Sequence, residues 1–148
     1  MEFKPAGPEV KTQVRQLLTE CELPSEDITE SHLEHFFVVR HENRLKGSIG
    51  LELFNKCALL RSLAVQEHIR GKGIASELLK RVETYARFHD VESLYLLTTT
   101  AEGFFEKHGY HVTDRNAVPA AVQGTAEFQS ICPSTATCMV KLLDHLPI

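Results

Sequence analysis

The stretch HIRGKGIASELLKR, His68–Arg81, decides how the rest of the chain is read. A basic turn with two glycines, Arg70-Gly71-Lys72-Gly73, runs straight into a segment where Ile74, Leu78, Val82 and Ala86 fall at four-residue steps. Ala75, Leu79 and Tyr85 lie beside them. That spacing predicts a helix from Gly73 to about His89 with one apolar face. Glu77–Arg81 and Glu83–Arg87 are i,i+4 pairs suited to its wet side. The run ALLRSLAV, Ala58–Val65, precedes the turn and reads as a strand buried on both faces.

A strand, a glycine turn and a helix together make an anion seat. The first-turn amides of a helix have no intrahelical partners, and the helix dipole adds partial positive charge there. Gly71 and Gly73 let an anion approach the backbone, while Arg70 and Lys72 add full charges. A diphosphate fits such a seat; a plain tight turn with two glycines is the other reading. The spacing of a P-loop, G-x-x-x-x-G-K-[ST], is absent. A dinucleotide fingerprint would need a third glycine where Ser76 stands. It would also need an acidic residue near the end of the next strand, which here ends LLTTT, with Glu92 before it.

Outward from this unit, EFKPA predicts a first strand cut short by Pro5, and Pro8 to about Glu20 a helix opened by Pro8. LPSEDITESHLEH is polar and turn-rich, with room for a short helix. HFFVVRH, SIGLELF and CALLRSLAV are three strands in succession, with a turn in ENRLKG and a two-residue hairpin turn at Asn55–Lys56. SLYLLTTT is a strand, AEGFFEKH a short helix ended by Gly109, and YHVTDR a strand. Residues 116–137 are irregular with space for a short helix, and CMVKLL is a final strand. The central strand–helix–strand unit is expected to be parallel and right-handed.

The 148 residues suit one domain spanning 1–148, long enough to bury a core without staples. A net charge of −4 argues against a general nucleic-acid binder, which wants basic stripes. No apolar run approaches the roughly 20 residues that cross a bilayer, and the N-terminus lacks the zones of a signal peptide. The expected location is therefore cytoplasmic. Cys21, Cys57, Cys132 and Cys138 lack metal-site spacing and are expected as reduced thiols, so no metal is expected. Cys132 and Cys138 stay open as a pair of thiol ligands, against the reading as core thiols.

With HIRGKG after one strand and AEGFFEKHGY, Ala101–Tyr110, after the next, the chain resembles the GNAT superfamily of acetyl-CoA-dependent N-acyltransferases. The first segment stands for the [QR]-x-x-G-x-[GA] signature, with His68 in the first place, and the second for the "A…FYEKLGF" helix and strand. The resemblance implies an α/β (α+β) GNAT fold. Its sheet would be mixed, mostly antiparallel and six- to seven-stranded, around a central parallel β-α-β acetyl-CoA-binding unit with flanking helices. It implies a diphosphate on Arg70, Gly71, Lys72, Gly73, Ile74 and Ala75. A pantetheine arm would lie along a bulged Leu63, Ala64 and Val65, with Thr98 and Phe105 near the thioester. The oxyanion donor would be a backbone N–H near Val65. Phe105 stands where many relatives have a Tyr acid, and Leu59 where many have a Glu base. Glu52 is then the candidate base, against a reading as a solvated strand residue.

LYLLTTTAEGFFEKHGY with DRNAVPAAV is similar to the acetyltransferase domains of N-acetylglutamate synthases. GTAEFQSICPSTATCMVKLL, Gly124–Leu143, is closer to the N-acetyltransferases of arsenic-resistance clusters. Both imply a small, amino-acid-like acceptor. Arg61 and Arg115 are the candidates for its carboxylate, and for Arg61 a buried ion pair with Glu52 is the other reading. The expected function is N-acetyltransferase acting by direct transfer in a ternary complex. Two alternatives are an amino-acid N-acetyltransferase of arginine biosynthesis and a non-catalytic acyl-CoA-binding sensor. The expected partner is a small-molecule amine substrate, with no nucleic acid and no membrane, and a homodimer is left open.

Overall fold

The structure is a computed structural model that describes residues 1–131 and 134–144. Its strands are β1 (Glu2–Pro5), β2 (Phe36–His41), β3 (Arg44–Phe54), β4 (Cys57–Val65), β5 (Ser93–Thr98), β6 (His111–Val112) and β7 (Thr137–Leu142). Its helices are α1 (Lys11–Glu20), α2 (Ile74–Phe88), α3 (Glu102–Lys107) and α4 (Ala120–Gln123). The seven strands are hydrogen-bonded in the order β1-β2-β3-β4-β5-β7-β6. β1–β2, β2–β3, β5–β7 and β6–β7 are antiparallel, and β4–β5 is parallel. The mixed, mostly antiparallel sheet and the parallel crossover through α2 agree with the expected architecture.

The chain forms two compact units. The first is Met1–Glu52 with Leu60–Tyr85. Its core joins Val10, Val14, Leu17 and Leu18 of the N-terminal helical segment to Ile28, Leu33, Phe36, Val38, Leu45 and Ala64. The helical spacing read from the sequence supplies this core directly. The helix expected from Pro8 begins instead as a 3-10 turn, Pro8–Val10, closed by the Val10 N–H on Gly7 O at 3.2 Å, the tighter first turn common at helix starts. In α2, Ile74, Leu78, Val82 and Ala86 are all buried. Glu77–Arg81 closes at 3.1 Å. Glu83, expected on the wet side, is buried. It lies one helical turn beyond Leu79, on the second buried row.

The tight turn between β2 and β3 is Glu42–Asn43, both at positive φ (53° and 64°), so β3 starts at Arg44, earlier than the alternation of SIGLELF suggested. Two left-handed residues match the twist of a two-residue hairpin, which outweighs glutamate's poor fit there. The second unit is Leu53–Leu59 with Ala86–Ile148. There Cys57, Ala58 and Leu59 pair with Ser93, Leu94 and Tyr95 in parallel. Leu59, Val118, Val122 and Cys138 form a buried cluster. α3 ends in a Schellman motif: Tyr110 N–H donates to Phe105 O and Gly109 N–H to Glu106 O, with Gly109 at φ 92°. The expected irregular stretch holds a 3-10 turn at Arg115–Ala117, α4, and a π-helical segment at Glu127–Ile131.

Candidate functional site

The turn before α2 places both of its glycines in the left-handed region. Glu67–Ile69 form a 3-10 turn, and Gly71 and Gly73 then take φ 83° and 82°, values L side chains rarely adopt. A Cβ built on either glycine meets nothing within 4 Å, so the space over these amides is open. Ile74 then begins α2. Lys72 is exposed and Ala75 half-buried. Arg70 is tied back: its Nε donates to Val65 O at 2.9 Å, and its Nη2 lies 3.6 Å from Cys21 Sγ. Cys21 Sγ also donates to Val65 O at 3.8 Å. Two donors thus converge on that carbonyl's two lone pairs. The Val65 carbonyl is therefore already engaged within the protein.

One residue before Leu63–Val65, β4 departs from regular strand geometry. Ser62 is buried and holds φ 61°, at a typical cost of about 1–3 kcal/mol for a non-glycine residue. Neighbours fix this conformation: Ser48 Oγ donates to Ser62 O at 2.8 Å, and Arg61 Nε donates to Ser62 Oγ at 3.1 Å. The expected bulge thus has a concrete origin at Ser62, which carries no warning in the sequence.

Arg61 anchors a second constellation. Its Nη1 and Nη2 donate to the two oxygens of Asp27 at 2.5 and 2.7 Å, and Nη1 also donates to Glu52 Oε2 at 2.8 Å. The Arg61 side chain is 0% exposed, while Asp27 and Glu52 are 15% and 16% exposed. Of the two roles open to Arg61, the structure forms the ion pair, with Asp27 taking the bidentate fork. Glu52 is accordingly not a solvated strand residue but a held carboxylate with one edge open. His32 Nε2 lies 3.7 Å from its other oxygen, Oε1. Burial pushes the Asp27 carboxyl up, but hydrogen bonds and charge from Arg61, helped by His32, bring it below the ordinary value of 3.8.

Asp27, His32 and Glu52 bring ligand-type atoms within 4.8 Å of one another. The Arg61 guanidinium already holds, beside Asp27 and Glu52, the place that a metal cation would take. Asp27 and His32 were missed because SEDITESHLEH reads only as a polar turn; nothing local tells that Asp27 meets a residue 34 positions later.

The remaining expected residues lie elsewhere. Thr98 ends β5, and its Oγ1 accepts from Ala101 N–H at 3.0 Å, bracing the start of α3. Phe105 is buried, edge-on to Phe104 and Tyr110 at 5.2 and 5.4 Å between centroids. Arg115, half-buried, donates from Nη2 to Ala136 O at 3.0 Å. Burial pushes the Cys138 thiol up, and Cys132 lies outside the described residues, so the thiol-pair reading gains no geometry. Among the described residues no helix is long and apolar enough to cross a membrane.

The profile of the Acetyltransferase (GNAT) family matches residues 8–110. An uncharacterized N-acetyltransferase of Chlorobaculum tepidum is 31% identical over 123 residues, covering 80% of this chain and 76% of that protein. The amino-acid acetyltransferase of Pseudomonas fluorescens is 30% identical over 107 residues, covering 71% of this chain; the match spans only 25% of that protein's length. Among solved structures, N-acetylglutamate synthase from Neisseria gonorrhoeae, complexed with coenzyme A and L-arginine, superposes with a TM-score of 0.80 at 19% identity. It covers 97% of this chain and 33% of that one.

Proposed function

The chain belongs to the acetyltransferase (GNAT) family and is an acyltransferase; on that premise we propose that it moves an acetyl group from acetyl-CoA to the amine of a small, amino-acid-like acceptor. The observation that carries the cofactor half is the open, left-handed glycine turn at the start of α2. The diphosphate of acetyl-CoA sits on the amides of residues 70–75, with Lys72 as the added charge. The pantetheine arm runs along Leu63–Val65, whose backbone groups serve it as a neighbouring strand would. Acetyl-CoA supplies the acyl group as an activated thioester.

The acceptor half rests on Glu52. Its carboxylate takes a proton from the acceptor ammonium, and the freed nitrogen lone pair attacks the thioester carbonyl in a ternary complex. The Val65 N–H faces the oxyanion that develops as the C–N bond forms. The C–S bond then breaks, the electron pair leaves on sulfur, and the second proton that the nitrogen must shed to become the neutral amide passes to that thiolate or to water. Phe105 offers no proton at that point, and none is required: a thiol of pKa about 8–9 leaves readily as thiolate. Asp27 and Glu52 carry two negative charges against the one on Arg61, so their open edges favour an ammonium. A carboxylate on the acceptor would have to displace Asp27 to reach Arg61.

The amino-acid acetyltransferase reading is the second one, favoured by the 30% identity to that enzyme of Pseudomonas fluorescens. Thiol release from acetyl-CoA over a panel of amino acids and the matching amines lacking the carboxylate tests both. Turnover of the amino acids alone supports an amino-acid acceptor. Equal turnover of both sets removes carboxylate recognition. A chain that binds acetyl-CoA and acetylates none of them defeats the acceptor class proposed here.

A further inference from the structure

The turn that carries Asp27 also carries a histidine whose hydrogen bonding is fixed by the backbone. Thr29 N–H donates to His32 Nδ1 at 3.0 Å. A backbone amide can only donate, so Nδ1 is the acceptor and the ring hydrogen of the neutral imidazole is on Nε2. Thr29 Oγ1 lies 3.0 Å from the same nitrogen and 3.4 Å from the His32 amide, which closes the turn around the ring. The nitrogen that carries the hydrogen is the one facing Glu52 Oε1 at 3.7 Å. Glu52 is therefore addressed on both oxygens: Oε2 by the Arg61 guanidinium and Oε1 by the His32 N–H. A closure of about 0.7 Å would bring that N–H to hydrogen-bond length.

We propose that His32, locked as the Nε2–H tautomer by Thr29, is a positioning residue that orients the Glu52 carboxylate for proton acceptance from the acceptor amine. The inference rests on the reading of Glu52 as the base. It assigns the His32 ring no proton transfer of its own, because the lone pair that could take a proton is occupied by an amide. Arg61 alone would leave the carboxylate free to rotate about its Cγ–Cδ bond. Once that gap closes, the second donor would define its plane, and with it the direction of the lone pair offered to the substrate. Small losses of such alignment cost rate much more than binding.

Two substitutions separate the donor from the turn. His32→Asn keeps an acceptor near the Nδ1 position for the Thr29 amide and removes the distal N–H. His32→Gln places an N–H near the Nε2 position. With the acceptor the panel identifies, His32→Asn should lower kcat about tenfold, with the KM for acetyl-CoA unchanged. His32→Gln should recover most of that loss. Nitrogen-15 NMR of the imidazole in the wild-type protein should show the neutral Nε2–H tautomer at neutral pH, and Glu52→Gln should shift its Nε2 resonance. An Nδ1–H tautomer overturns the proposal, as does a His32→Asn enzyme with wild-type kcat. An equal loss in both variants reduces His32 to a structural residue and also overturns it. Should His32→Asn not fold, the wild-type spectrum and His32→Gln still decide. The expected spectrum in a protein that acetylates no amine would defeat the transferase reading, not the tautomer lock.

Discussion

The glycine turn and the Asp27–His32–Glu52–Arg61 constellation are two ways of building a charged site. The turn is exposed, basic and made of backbone: its donors are amides, and its shape comes from two residues at positive φ. The constellation is half-buried, carries more acid than base, and is made of side chains from β3, β4 and the polar segment after α1. A backbone site survives most side-chain changes and fails when its φ angles change. A side-chain site fails when one charge is removed, because the others were taken out of water on the strength of that charge. The difference predicts how each will break.

The largest effect should come from Arg61→Ala. It leaves two carboxylates partly buried without their counter-charge, a loss of about 3–5 kcal/mol in stability. Chemical denaturation should show it as a large drop in the midpoint at unchanged slope. Arg61→Lys should recover only part, since a point charge cannot serve the Asp27 fork. A loss below about 1 kcal/mol would mean that the pair behaves like a surface one, and would erase the contrast between the two sites.

Next comes Gly71→Val. A β-branched residue resists φ 83° by about 1–3 kcal/mol, so the turn should relax and its amides turn away. Acetyl-CoA affinity by calorimetry should fall about tenfold or more, as that strain converts. Lys72→Ala should cost less, because it removes an added charge and leaves the amides in place. Unchanged affinity in Gly71→Val would show that the seat is misplaced.

The pH dependence sharpens the other side. The folded Asp27 carboxyl ionises below its ordinary value of 3.8. A group depressed in this way contributes stability that is present above the unfolded value. That stability is lost as pH falls from about there through the folded one. Asp27→Asn should therefore flatten the acid side of the stability curve below pH ~4 and reduce stability at neutral pH. An acid limb unchanged by that substitution would show that Arg61 does not lower Asp27. The smallest effect belongs to Phe105→Tyr, where steady-state turnover should stay within about tenfold because thiolate departure needs little acid help. A thousandfold gain would mark the native site as crippled and revive the sensor reading.

What could be read in advance follows the same division. The periodicity of Ile74, Leu78, Val82 and Ala86, the alternation in β3 and the glycine after α3 each encode structure within a few residues. The succession of strands and helices and the parallel crossover were legible from them. The family follows from two such local segments, and residues 8–110 match its profile. Ser62 was not legible: its positive φ is imposed by Ser48 and Arg61, and serine is no signal for it.

Glu52 and Arg61 were singled out from the family resemblance together with their strand positions, yet their relation to Asp27 was not legible. The sequence by itself determined where the chain turns, which faces are apolar, and where backbone amides are left open, because those depend on neighbours along the chain. Only the tertiary structure decided that Arg61 belongs to Asp27 and Glu52, and that His32 Nε2 comes to 3.7 Å from the same Glu52 carboxylate. Those pairings join residues up to 34 positions apart. A charge has no preferred partner until folding brings one within hydrogen-bond reach and removes the water that would otherwise solvate it.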